Sequence, residues 1–308
     1  MLMTTEYRMS RVIDYPEATA VDGIISLSLQ EATDRAFRRI QVAKLRGQDH
    51  LTGRHVMRIA HGGIEIYPRL EAQIRSQPYH PARPQRRAQF GIPELDALLH
   101  GGIPTPSKTV LAGTTGVGKT VLSLQFLAEG ASKGEPGVYL SFSEEPEPLI
   151  RRMERIGVRL RPFVERGLLR IDYREPLNLE ADELVAHLLE CVASTRATRC
   201  VLDAVDELER AVPEGSRLTS LLTALSVKLR SEGVAMLTLK NIGELTSAGI
   251  DFADTAISTV VENLLVIRKV ELRGQMRRLL AVMTMRDTAF ETEVREFEVS
   301  DGGIRIGR

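Results

Sequence analysis

Residues 113–120, Gly-Thr-Thr-Gly-Val-Gly-Lys-Thr, restrict this chain more than any other feature. They fit G-x-x-x-x-G-K-[ST], with an apolar run at Thr109–Ala112 before them and a helical pattern at Val121–Glu129 after them, closing at Gly130. Gly113, Gly116 and Gly118 let the backbone curl so that N–H groups of Thr114, Thr115, Val117 and their neighbours face phosphate oxygens. The helix that follows adds its positive dipole end. Lys119 is expected to reach the β- and γ-phosphates of ATP, and the Thr120 hydroxyl to ligate Mg²⁺.

Downstream, apolar runs alternate with amphipathic ones. Strands are expected at Gly137–Phe142, Leu168–Tyr173, Arg199–Val205 and Val234–Leu239, and helices at Glu147–Ile156, Glu180–Ser194 and Ser216–Arg230. That alternation predicts an α/β fold with a mostly parallel sheet. From Val260 onward the pattern becomes apolar/polar at 262–271, 277–286 and 295–306, which predicts antiparallel strands.

Two further acidic positions follow from this layout. Asp203 ends the strand Arg199-Cys-Val-Leu-Asp and is expected to support Mg²⁺. Glu144 and Glu145 follow the strand ending at Phe142 and are candidates for the base that orients the attacking water. The same stretch also reads as a helix start, with Ser143 capping and Pro146 in the first turn. Asp206 and Glu207, just past Asp203, read as a solvated helix start.

The 308 residues suffice for about two domains. Lys plus Arg and Asp plus Glu are 41 each, so there is no basic surplus for coating nucleic acid. The absence of Trp leaves few aromatic platforms for bases and argues against a DNA recombinase or helicase. Cys191 and Cys200 cannot form a disulfide scaffold and read as buried filler. The six histidines lack zinc-type spacing, so no metal site is expected among them. No uncharged stretch approaches the ~20 residues that span a bilayer, and no signal peptide is visible. A soluble, cytoplasmic chain without a membrane partner is expected.

Residues 73–88, with prolines at 78, 81 and 84 and four arginines, read as an extended linker. Residues 22–68 align without a gap to 262–308 at a constant offset of 240. Apolar positions coincide throughout, and His61-Gly-Gly-Ile meets Asp301-Gly-Gly-Ile. The expected organisation is therefore residues 1–72 as the last third of a first copy of a domain, the 73–88 linker, and a second copy over 89–308. The first copy's own nucleotide loop is absent, and Met1–Tyr7 resembles an internal strand, close to Ala235–Lys240. Such a partial copy is expected to pack poorly, with sheet edges and an apolar face that want a partner.

Phe90-Gly-Ile-Pro-Glu-Leu-Asp-Ala-Leu-Leu-His-Gly-Gly-Ile-Pro, the loop at 113–120 and Gln125-Phe-Leu-Ala-Glu-Gly together resemble the KaiC family of RecA-like ATPases. The resemblance covers about residues 90–308, with the tail of a first repeat at 1–72. It implies a RecA-like P-loop fold, nucleotide-stabilised hexameric rings, ATP held between subunits, and ATPase activity. It also implies possible autophosphorylation of an adjacent Ser–Thr pair, which falls on Ser258 and Thr259. The family's Lys-x-Arg, supplied to the neighbouring subunit's γ-phosphate, reads Thr284-Met285-Arg286 here, so Arg286 remains and the lysine is gone. The partial copy keeps both as Lys44 and Arg46. Ser143 stands where the family has the first glutamate of its catalytic pair, with Glu144 at the second. The resemblance thus points to a ring-forming regulatory or signalling ATPase whose protein partner is unknown. A nucleotide-switched scaffold with little turnover is the rival reading.

Overall fold

Two compact units, Met1–Gln77 and Pro78–Arg308, make up the chain. The computed structural model describes residue 4 and residues 16–32, 35–74, 86–175, 180–203, 205–212, 215–243, 261–286, 288–301 and 303–307. The strand-like Met1–Tyr7 segment and the Ser258–Thr259 pair lie outside the described residues, Thr4 apart.

The first unit carries α1 (Pro16–Ala20), β1 (Gly23–Ala32), β2 (Arg35–Leu45), β3 (His55–Ala60), β4 (Gly63–Tyr67) and α2 (Leu70–Gln73). Its strands form one antiparallel sheet in the order β1-β2-β3-β4. Period-2 alternation puts Ile25, Leu27 and Leu29 on one face, and all three are exposed, as are Ile59, Ile64 and Ile66.

The second unit runs β5 (Arg86–Ala88), α3 (Pro93–Leu98), β6 (Ile103–Thr105), β7 (Ser107–Gly113), α4 (Lys119–Ser132), β8 (Gly137–Ser141), α5 (Pro146–Arg155), α6 (Arg161–Glu165) and β9 (Leu169–Tyr173). It continues with α7 (Ala181–Thr195), β10 (Arg199–Asp203), α8 (Val205–Ala211), α9 (Gly215–Ser231), β11 (Ala235–Asn241), β12 (Asn263–Leu272), β13 (Gln275–Met285), β14 (Arg295–Ser300) and β15 (Gly303–Ile306). Nine strands share one sheet in the order β15-β14-β13-β12-β7-β11-β10-β8-β9. From β9 to β12 the pairings are parallel, and from β12 to β15 antiparallel. This is the RecA-like α/β arrangement that the sequence predicts. Among the described residues no helix is long and apolar enough to cross a membrane.

Several expected boundaries move, each for a local reason. The strand expected to reach Val205 stops at Asp203, and Val205 opens α8. Helix α4 runs past Gly130 to Ser132. Gly130 is instead a contact glycine: a Cβ there would lie 2.4 Å from Nε of the buried Arg199. That guanidinium donates to the carbonyls of Gln89 and Phe126, both at 2.7 Å, and pairs with Glu135. The stretch 295–306 divides into β14 and β15 around a turn in which Gly303 has φ +99°. At the ends of the expected linker, α2 includes Gln73 and Arg86–Ala88 pairs with Ile103–Thr105. The short helices α3 and α6 were not expected from periodicity.

The internal repeat reappears strand by strand. Adding 240 to the bounds of β1, β2 and β3 yields those of β12, β13 and β14. Both hairpins carry a bulge at the same place, between Ile24 and Ile25 and between Leu264 and Leu265. Leu265 and Ile267, the counterparts of Ile25 and Leu27, are fully buried because they pack into the apolar core of the second unit.

Candidate functional site

Strand β7 is buried at every position and delivers the glycine loop to the start of α4 at the C-terminal edge of the parallel strands. Gly116 and Gly118 have φ of +73° and +111°, a region that costs other residues. A Cβ on Gly118 would stand 2.7 Å from the Phe297 ring, and one on Gly113 would stand 2.4 Å from the Ile267 carbonyl oxygen. The loop is therefore seated against β12 and β14, and only glycine fits at those two positions.

Lys119 is buried, and its ammonium donates to Gly113 O at 2.8 Å, Thr114 O at 2.9 Å and Asn241 Oδ1 at 3.0 Å. Burial pushes its pKa down, opposed by the charges of Asp203 and Asp206. Asp203, the last residue of β10, accepts hydrogen bonds from Thr120 Oγ1 at 3.1 Å and from the Tyr139 hydroxyl at 2.5 Å. Burial raises its carboxyl, and the Glu144 charge adds to that; the hydrogen bonds from Tyr139 and Thr120 and the Lys119 charge pull it back. Burial also holds the Tyr139 hydroxyl well above its ordinary range, so it stays a proton donor.

These groups fit a polyphosphate with a hard cation. Thr120 and Asp203 bring two oxygen donors together, the ligand type that Mg²⁺ requires. Thr114 Oγ1, inside the loop, is buried without a hydrogen-bond partner and is available to a ligand atom.

The two candidate bases separate. Ser141 lies beside Asp203 in the β8–β10 register, and its Oγ accepts the Glu144 N–H at 3.1 Å. Glu144 is thereby held near Asp203 and pairs with Arg152. Glu145 is exposed and is the N-cap residue of α5, with Pro146 next. Ser143 does not cap that helix, because the helix begins two residues later than capping by Ser143 requires. Asp206 and Glu207 do stand in the first turn of α8, but Asp206 is not left to solvent. Its carboxylate accepts from Lys240 Nζ at 2.8 Å and from Asn241 N and Nδ2 at 3.0 and 3.1 Å. Glu207 pairs with Arg210 along α8.

Arg286 is exposed at the end of β13 and its N–H donates to Glu262 O at 2.9 Å; Glu262 in turn donates to Lys108 O. That level is the N-terminal edge of the parallel strands. Gly113 lies five residues further along β7, about 16 Å at ~3.3 Å per residue. Arg286 is thus at the opposite end of the sheet from its own glycine loop.

Asn241, Tyr139 and Arg152 were missed from sequence. A tyrosine in the apolar run Gly137-Val-Tyr-Leu-Ser had to find a buried acceptor, and that was the available signal. Asn241 and Arg152 carried none, since their roles come from the strand order. Sequence spacing also gave no sign of one side-chain cluster. Asp172, His187 and Cys191 bring one ligand atom each to within 4.8 Å of one another. His187 and Cys191 are four apart on α7, a spacing overlooked because the third member comes from β9.

Comparison with known proteins agrees with this architecture. The family model described as "ATPase: KaiC" matches residues 1–71 and 88–308. The circadian clock oscillator protein KaiC of Picosynechococcus sp. is 26% identical over 285 residues, covering 92% of this chain and 54% of the relative. The circadian clock protein KaiC3 of Synechocystis sp. is 26% identical over 315 residues, covering 100% of this chain and 60% of the relative. KaiC2 of the same organism is 26% identical over 292 residues, at 92% and 49% coverage. The chain spans about half to three-fifths of the length of these relatives. With the glycine loop, the strand order and the family match in agreement, the chain belongs to the KaiC family of P-loop ATPases.

Proposed function

We propose that the protein binds ATP at residues 113–120 and hydrolyses it, acting as a regulatory or signalling ATPase in a ring of its own copies. The observation that carries this reading is the convergence of Lys119, Thr120 and Asp203 at one end of the sheet. The loop amides of Gly113–Gly118 and the Lys119 ammonium hold the phosphates, with Lys119 exchanging carbonyl acceptors for phosphate oxygens. Thr120 and Asp203 hold Mg²⁺, which neutralises charge on the β- and γ-phosphates. Glu144, whose charge acts on Asp203, orients the attacking water and takes its proton.

The distance of Arg286 from its own loop supports action in trans, on the phosphates bound by a neighbouring copy. We read residues 1–72 as the C-terminal part of a first copy of the domain, supported by the shared strand bounds and bulges. Ser258 and Thr259 are proposed phosphoacceptors on the resemblance alone. Mass spectrometry after incubation with Mg-ATP should find phosphate on one of them, and two unmodified side chains would refute that assignment.

A switch with little turnover is the second reading. Ser143 in place of an acid, Thr284 in place of a lysine, and the engagement of Glu144 by Arg152 favour it. ATP turnover measured beside light scattering, for wild type and Lys119→Ala, separates the two. Assembly and hydrolysis that are both lost in the variant support the ring ATPase. Nucleotide-dependent assembly without turnover supports the switch, and neither property with ATP overturns both.

A further inference from the structure

We propose that Asp172, His187 and Cys191 form a binding site for a divalent transition-metal ion of the zinc class. His187 and Cys191 stand at i and i+4 on α7, so their side chains share a face, and Asp172 comes from the neighbouring strand β9. Cys191 Sγ is 3.4 Å from His187 Nε2 and 3.7 Å from Asp172 Oδ2. A tetrahedral zinc with bonds of about 2.3 Å to sulfur and about 2.1 Å to nitrogen and oxygen holds the sulfur about 3.6 Å from each of the other donors. The observed separations bracket that value.

The direction of the contacts distinguishes this cluster from a nucleophile–base–carboxylate relay. A relay uses both imidazole nitrogens, one toward the thiol and the other toward the acid. Here Cys191 and Asp172 both meet His187 Nε2, the convergence on one point that coordination needs. Thiolate, imidazole and carboxylate together suit zinc better than Mg²⁺ or Ca²⁺, which take oxygen ligands.

Binding changes three groups. Cys191 releases its thiol proton to solvent, and the His187 proton moves to Nδ1 so that Nε2 offers its lone pair. The direct Asp172–His187 hydrogen bond opens to ligand spacing. Arg174 Nη2 lies 2.8 Å from Nδ1 and 3.0 Å from Nε2, over the imidazole, and because Arg174 is exposed its guanidinium can swing away to open Nε2 to the ion. Thiolate and carboxylate neutralise the ion, while Arg170, 3.8 Å from Asp172 Oδ2, stays as an outer partner. Asp172 and His187 are only partly buried, which leaves the fourth position to water. The Arg174 N–H donates to Ser141 O, so the site borders the strand end that leads to Glu144.

The test uses the full chain stripped with a chelator, held in excess Mg-ATP and titrated with Co²⁺ and then Zn²⁺. One Co²⁺ per chain with a near-ultraviolet thiolate-to-cobalt charge-transfer band, displaced by Zn²⁺, is expected. Cys191→Ser should abolish the band, and His187→Gln or Asp172→Asn should weaken affinity by at least about tenfold. Cys200→Ser should keep the band. The isosteric Cys191→Ser change keeps the fold testable by circular dichroism. Absence of a band in the wild type, or a band that survives Cys191→Ser, would overturn the assignment.

Discussion

Thr120 Oγ1 donates to Asp203 Oδ2 at 3.1 Å across a sequence separation of 83 residues, joining the end of the glycine loop to the end of a strand two places away in the sheet. The same carboxylate oxygen accepts from Tyr139, so one atom of Asp203 is held by two hydroxyls. Asp203→Asn should leave nucleotide affinity in chelator within a few-fold of wild type and lower Mg²⁺-dependent turnover by about 100-fold or more. Tyr139→Phe should cost about 1 kcal/mol of stability, the typical value of one internal hydrogen bond. Turnover assays with and without chelator, together with urea melts, check both outcomes.

Glu144 and Glu145 are adjacent in sequence but differ in surroundings. Glu144→Gln should lower turnover by roughly 10²–10⁴-fold, the range for loss of a general base, while Glu145→Gln should change it little. The assay is steady-state phosphate release at saturating Mg-ATP. Equal, small effects from both changes would identify the switch reading as the correct one.

Lys119 has its pKa depressed mainly by burial, whereas bound phosphates favour the ammonium form. Affinity for ATP should therefore fall as pH rises through the lowered Lys119 pKa, with protons taken up on binding. Titration calorimetry in two buffers of different ionisation enthalpy measures that uptake. Lys119→Ala should bind ATP more weakly by more than about tenfold, and its affinity should lose this pH dependence.

Lys108, at the start of β7, is buried, and burial followed by the Arg230 charge pushes its pKa down to about 7. Between pH 7 and the unfolded value of about 10.4, the unfolded chain holds a proton there that the folded chain does not. Stability from this group therefore rises with pH across that window, by up to about 1.4 kcal/mol per unit, and is flat below it. Lys108→Met should be more stable than wild type at pH 7, with the gap closing toward pH 10. Urea midpoints of both proteins across that range are the measurement.

Gly118 has a left-handed φ and a phenyl ring where a Cβ would go. Gly118→Ala should destabilise the second unit by about 1–3 kcal/mol and displace Phe297 or the loop. Thermal melts beside ATP titration check it. Gly134→Ala, at φ +75° with open space around it, serves as the comparison for a positive-φ substitution that meets no neighbouring atom.

Much of the site was legible along the chain. Residues 113–120 name themselves because a phosphate loop needs its glycines, lysine and threonine in one local run. Asp203 could be found because it ends an apolar strand, and β1–β3 could be matched to β12–β14 because a strand's period of two survives as an alignment at a constant offset. All of these are local properties, set by backbone hydrogen bonding and side-chain period. What the tertiary structure alone decided is which groups meet. Sheet order brings Asn241 and Tyr139 to Lys119 and Asp203. A serine hydroxyl in β8 holds the Glu144 backbone while Glu145 stays exposed, register carries Arg286 to the far end of the sheet, and α7 lies beside β9 so that His187 and Cys191 find Asp172. Those encounters depend on strand order and crossover packing between residues tens of positions apart. Local pattern carries no information about such encounters, because the same alternation is compatible with several orders of the same strands.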